Sequence, residues 1–174
     1  MSKQIQFSNI TFKATIFLLL SIVLFSCKQE SQQNTESTTQ VVQSEKPEYF
    51  LLRPDLEKMY GYTQAVKVGN LVKIGGVISI DDNGNAIAKD DYLQQMKNCY
   101  VSIEKVLKHY GCNFDDVILE NIYTTNMAEL QKNVPYRHEI YKSHFPTGSW
   151  IGIKELGLPE MMIEIEIEAL IPEN

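Results

Sequence analysis

Hydrophobic positions along this chain follow three different patterns, and the changes of pattern mark out its elements. From Leu93 they recur every three or four residues, at Met96, Tyr100, Ile103, Val106, Leu107 and Tyr110, behind Asp90 and Asp91 and ahead of Gly111. This spacing predicts a five-turn amphipathic helix with acids at its positive end and a glycine stop. From Met162 to Leu170 the period is two. Ile163, Ile165 and Ile167 lie on one side and Glu164, Glu166 and Glu168 on the other, which predicts a strand with one apolar face. Runs of β-branched and aromatic residues predict further strands at Ala65 to Val68, Leu71 to Gly76 and Val117 to Thr124. Gly69-Asn70 is a two-residue hairpin loop between the first two, and Asp81 to Asn85 is a polar turn cluster. A second helix is expected from about Asn133 to His144, because Pro135 suits a first turn and not a helix interior. The order ββ, α, β, α, ββ predicts an α+β domain over residues 48–174, a mixed sheet with two helices packed on one face.

The third pattern is an unbroken uncharged run, Ala14 to Phe25, behind Lys3 and Lys13 and with no acid before Glu30. As a helix these residues cover about 18 Å, short of the roughly 30 Å of a bilayer core, so the run reads as a secretory signal and not as a spanning helix. Leu24-Phe25-Ser26-Cys27 resembles a bacterial lipobox. On that reading residues 1–26 are a lipoprotein signal peptide and Cys27 carries the lipid. Residues 27–47 are a polar, low-complexity tether with too little apolar surface to order itself. The expected location is the cell envelope, lipid-anchored to a membrane on the non-cytoplasmic side, in the periplasm.

With Lys3 and Lys13 removed, 14 basic side chains face 22 acidic ones, a net charge of −8. Such a chain is not expected to bind nucleic acid or anionic lipid by charge. Cys99 and Cys112 are expected to be buried thiols and not a disulfide, since a helix holds them roughly 18 Å apart. His109, His138 and His144 have no metal-ligand spacing, and no phosphate-cradling glycine loop or nucleophile elbow is present, so no metal or cofactor is expected.

Gly61-Tyr62-Thr63-Gln64-Ala65-Val66-Lys67-Val68-Gly69-Asn70-Leu71-Val72 resembles the GPYSQAVKVGNLV signature that opens the Rid/YjgF family. The likeness continues through the long helix, Thr124-Thr125-Asn126-Met127, His138-Glu139-Ile140-Tyr141, Phe145-Pro146-Thr147-Gly148-Ser149 and the terminal IEIEIEAL strand. It implies a chorismate-mutase-like fold and a homotrimer, with the sheets forming a central β-barrel and small-molecule clefts between subunits. RidA deaminases of this family hydrolyse 2-imino and 2-aminoacrylate acids without metal or cofactor. There an arginine in a P-A-R-S segment grips the substrate carboxylate, a glutamate on the last strand holds the attacking water, and a tyrosine of the opening signature closes the pocket.

Carried onto this sequence, the tyrosine is Tyr62 and the water-holding residue is Glu164 or Glu166. Gly75, Gly148 and Ser149 stand at substrate-binding positions. Two of these depart from the family pattern: Gly75-Gly76-Val77 replaces S-G-Q, and Gly148 stands where the arginine should be. Loss of a buried charge-assisted partner costs roughly 2 to 5 kcal/mol. The only arginines are Arg53 and Arg137; neither is at the family position, though Arg53 or Lys154 could reach a cleft. The first expectation is therefore an envelope-anchored protein that binds a small molecule in inter-subunit clefts and lacks the standard 2-iminobutanoate/2-iminopropanoate deaminase activity. The alternatives are a hydrolase using a glutamate-held water on another substrate, and a purely structural trimer.

Overall fold

The computed structural model describes residues 45–173. The expected signal peptide, Cys27 and the tether as far as residue 44 lie outside the described residues. Six strands form one mixed sheet: β1 Glu48–Phe50, β2 Ala65–Val68, β3 Leu71–Val77, β4 Val117–Thr124, β5 Thr147–Gly152 and β6 Ile163–Leu170. Their spatial order is β1-β2-β3-β6-β4-β5, antiparallel throughout except for the parallel pair β4 and β5. The α+β architecture and the four strands located from the periodicity are as expected. β1 is short, and β5 is an exposed edge strand whose sequence, TGSWIG, has no alternation to reveal it.

Helix α1 spans Pro54–Tyr60 and helix α2 spans Tyr92–His109. The side chain of Asp91 caps α2 by accepting from the Gln94 N–H at 2.9 Å, satisfying one of the orphan donors of the first turn. Met96, Cys99, Tyr100, Ile103, Val106 and Leu107 of its apolar stripe are fully buried in one cluster with Val72 and Ile74 of β3, Ile122 of β4 and the three isoleucines of β6. Each large apolar side chain so buried contributes about 1.5 to 3 kcal/mol, and this layer is the main core. Cys99 and Cys112 are free, buried thiols. Burial pushes both above the ordinary thiol range, which suppresses the reactive thiolate.

The second helix differs from its expected span. Asn126 caps an earlier helix, α3 Met127–Asn133, by accepting from the Glu129 N–H. A 3₁₀ turn at Val134–Tyr136 follows, and then the short helix α4 Arg137–Ile140. Pro135 has no N–H to continue the α-helical bonding, so although Val134 keeps helical dihedrals of φ −48° and ψ −38°, the segment passes through a 3₁₀ turn and is divided into two helices instead of forming a single one.

Candidate functional site

The site is built around an irregularity in β3. Ile74 pairs with Ile167 and Val77 with Ile165, so Gly75 and Gly76 together oppose the single residue Glu166: a β-bulge. The bulge is held by Gln64, whose side-chain amide donates to the Gly75 carbonyl at 3.0 Å and whose own carbonyl accepts from the Gly75 N–H at 2.9 Å. The bare Cα of Gly76 makes room for a carboxylate. A Cβ there would lie 1.7 Å from Oε1 of Glu164.

Glu57 of α1 ties this region to the chain ahead of it. It is wholly buried, and one carboxylate oxygen accepts from the Arg53 N–H while the other accepts from the Gln64 N–H at 2.7 Å. One side chain thus fixes both Arg53, at the entrance of α1, and the segment carrying Tyr62. Gly84, with φ of +84°, lets the turn at 81–85 close over Leu56, where a Cβ would come within 2.5 Å of Cδ1.

These elements enclose a cavity of about 380 Å³, a size suited to a small metabolite. Its apolar wall is Leu56, Ile78, Ile80 and Leu158, and its polar groups are Arg53, Tyr60, Tyr62, Gln64 and Glu164. Burial, reinforced by the neighbouring Glu166, holds the Glu164 carboxyl above the usual carboxylate range. The Tyr62 phenol is likewise raised, first by burial and then by Glu57, with Arg53 opposing, so it stays protonated at neutral pH.

The three glutamates of β6 share a face but not an environment. Glu164 alone lines the cavity, whereas Glu166 accepts from the Tyr123 hydroxyl at 2.9 Å and Glu168 pairs with Lys73 at 2.8 Å. Gly75 and Glu166 line a separate hollow of about 280 Å³ on the sheet. Gly148 and Ser149 lie on edge strand β5, opposite Glu120 and Asn121, away from the cavity. A Cβ on Gly148 would meet the Glu120 carbonyl oxygen at 1.7 Å, so this backbone does not admit the arginine that the family places there. Lys154 does not line the cavity either, whereas Arg53 does. Sequence reasoning left Arg53 as one of two cations with no assigned place and missed Glu57 and Gln64 as its supports. The available signal was Arg53-Pro54, a charged residue opening a proline-led helix just ahead of the Gly61-Tyr62 signature. No cluster of three or more metal-ligating side chains occurs among the described residues.

The family model described as Endoribonuclease L-PSP matches residues 53–171. A RutC family protein of Pyrococcus abyssi is 29% identical over 111 residues, covering 63% of this chain and 84% of that protein. A 2-iminobutanoate/2-iminopropanoate deaminase of Dermatophagoides farinae is 26% identical over 110 residues, with coverage of 63% and 84%. Among solved structures, a member of the YjgF/YER057c/UK114 family from Mycobacterium tuberculosis superposes with a TM-score of 0.62 at 23% identity, covering 72% of this chain and 99% of its own. RidA from an Antarctic Psychrobacter superposes with a TM-score of 0.59 at 22% identity, with coverage of 63% and 88%. The bulged sheet, the long helix across it and the match running from the entrance of α1 to beyond β6 agree: this chain belongs to the Rid/YjgF family.

Proposed function

We propose that the cavity beside the β3 bulge is a hydrolytic site for a small imine or enamine, with Glu164 handling the water. The observation that carries this reading is the half-buried Glu164 carboxyl, of raised pKa, facing a cavity it shares with the protonated Tyr62. The names of the deaminase relatives support the same chemistry. In such a reaction the water oxygen adds to the imine carbon while the C=N π pair moves to nitrogen. Glu164 takes one proton from water and gives it to nitrogen, forming a carbinolamine, and then carries the hydroxyl proton to nitrogen as well. The C–N bond breaks as the O–H pair becomes the carbonyl, and ammonia leaves. General acid–base help of this kind contributes roughly 10² to 10⁴ in rate.

Gly148 favours a substrate other than the short 2-imino acids, because its position offers no side-chain donor for their carboxylate. The test is a coupled assay in which an oxidase generates the imine and its loss is followed with and without the full-length protein. The expected result is little acceleration of 2-iminobutanoate or 2-iminopropanoate hydrolysis beside an authentic RidA, and about tenfold or more for at least one imine with no carboxylate on the imine carbon, such as that from benzylamine. Standard rates on the short acids would overturn the substrate argument. Failure on every imine would leave a binding protein.

We propose further that the chain works as an envelope-anchored homotrimer. The sheet face bearing Lys73, Asn121, Tyr123 and Glu166 is only partly covered within one chain, and closing sheets on one another would cover it. Light scattering is expected to give a trimer mass. For the anchor, Cys27→Ser is expected to abolish incorporation of labelled palmitate and to shift the protein from the membrane to the soluble fraction; palmitate entering the variant would refute the lipobox.

A further inference from the structure

Arg53 is only 7% exposed, and the one ion pair of its guanidinium among the described residues is a long contact to an exposed carboxylate, Asp82. Nη2 donates to the Ile80 carbonyl at 3.3 Å and to Ser102 Oγ at 3.2 Å, which fixes the plane of the group. Nε is fully buried and has no hydrogen-bond partner, the only such side-chain nitrogen or oxygen among the described residues. Nη1 makes no hydrogen bond among them either. The one carboxylate near the group is Asp82, 3.6 Å from Nε and 88% exposed, beyond hydrogen-bonding reach. Both oxygens of the nearby Glu57 are occupied by backbone N–H groups. A buried guanidinium with unspent donors, lining a cavity, is a built receptor for an anion, since leaving such donors desolvated and unpaired is costly.

Arg53 also does not pair with Glu164. No salt bridge joins them, and Glu164 is shifted upward by burial and Glu166 with no opposing pull from a cation. Their anchor points on the chain, Ile80 and Gly76, are four residues apart, at most about 13 Å of extended chain. After about 3 Å for each hydrogen-bonded contact, this upper bound admits a carboxylate as far as roughly four bonds from the carbon attacked.

We infer that Arg53 is the anion-binding residue of this cavity and that the ligand is a small imine, or its oxo product, carrying a carboxylate within about four bonds of the reacting carbon. The inference rests on the same cavity being the reactive site, but the anion contact can be measured without catalysis.

The experiment is equilibrium titration of the full-length protein with 4-oxopentanoate and 5-oxohexanoate and with their methyl esters. In the parent protein the two oxo acids should bind about tenfold or more tightly than their esters. Arg53→Met should bring the acids down to the esters. Asp82→Asn, an exposed change with little risk to folding, should tighten the acids about two- to fivefold by removing the competing carboxylate, with the esters unmoved. Glu164→Gln should leave the acid-to-ester ratio intact. An acid preference that survives Arg53→Met, a flat response to Asp82→Asn, or no acid preference in the parent would each overturn the assignment. If the acids bind through Arg53 but no imine is hydrolysed, the anion site stands and the hydrolytic reading falls.

Discussion

Glu164→Gln is expected to reduce imine hydrolysis by about two orders of magnitude or more in a protein that melts no lower than its parent. The two halves of this expectation have one cause. Glu164 sits where burial and the neighbouring Glu166 disfavour its charge, so its pKa in the fold lies above that of the unfolded chain. The folded state therefore holds the proton more tightly than the unfolded state does. The stabilisation from that bound proton is fully present below the ordinary glutamate range, and it is lost as pH rises through the raised folded value. Glutamine has no charge to bury, so its melting temperature relative to the parent should rise across that interval and level off above it. Paired thermal melts from pH 4 to pH 8 measure the difference. A variant that loses both activity and stability would mean that Glu164 is structural.

The rate of the parent gives a second reading of the same group. If Glu164 must be ionised to take a proton from water, activity falls as pH drops through its pKa, so the acid limb should lie above the usual glutamate range. Glu166→Gln removes the like charge that contributes to that shift and should move the acid limb to lower pH while leaving the plateau rate close to the parent's. Because the Glu166 carboxylate accepts from Tyr123 and does not line the cavity, it is a neighbour that tunes Glu164. A Glu166→Gln variant with no activity at any pH would exchange the roles of the two residues.

The fold was legible in the sequence wherever one face of an element is apolar and the other wet. The stripe of α2 and the alternation of β6 are direct prints of burial on a single side, and both elements lie within a residue of their expected spans. Legibility failed where position is decided by neighbours far along the chain. β5 is an exposed edge strand set by parallel pairing with β4, and no period marks it. The choice between Glu164 and Glu166 could not be made from alternation, because a period of two sends both to the same face; a glycine bulge on the adjacent strand separates them. The place of Arg53, named only as a residue that could reach a cleft, was left open for the same reason. Its depth depends on Glu57, Ser102 and Ile80, which the fold gathers from three separate segments.

Glu120→Ala is expected to cost about 3 to 5 kcal/mol of folding stability, the largest loss from any single polar side chain in the domain. Glu120 lies in the middle of β4 and is almost wholly buried, where a lone carboxylate would be prohibitive. It is tolerated because all of its acceptor capacity is used. The hydroxyls of Tyr100 from α2 and Tyr141 from the end of α4 both donate to Oε1 at 2.7 Å, and Nε of Arg137 donates to Oε2 at 2.8 Å while its Nη2 completes the ion pair with the same oxygen. Arg137 in turn lies 5.5, 5.7 and 5.9 Å from the rings of Tyr141, Phe145 and Trp150. One carboxylate therefore joins α2, α4 and the β4–β5 edge. Removing it strands a half-buried guanidinium and two buried hydroxyls, each hydroxyl worth about 1 to 3 kcal/mol when left unpaired. The penalty comes from the stranded partners and not from the ion pair itself, so removing the partners as well should reverse much of it. Glu120→Met combined with Arg137→Met, Tyr100→Phe and Tyr141→Phe should be markedly more stable than Glu120→Ala alone, since a well-packed apolar replacement for a buried ion pair is often neutral. Urea unfolding at constant m-value measures both. Equal stability for the single and the fourfold variant would show that the loss is one of packing volume, and that the network contributes nothing beyond the space it fills.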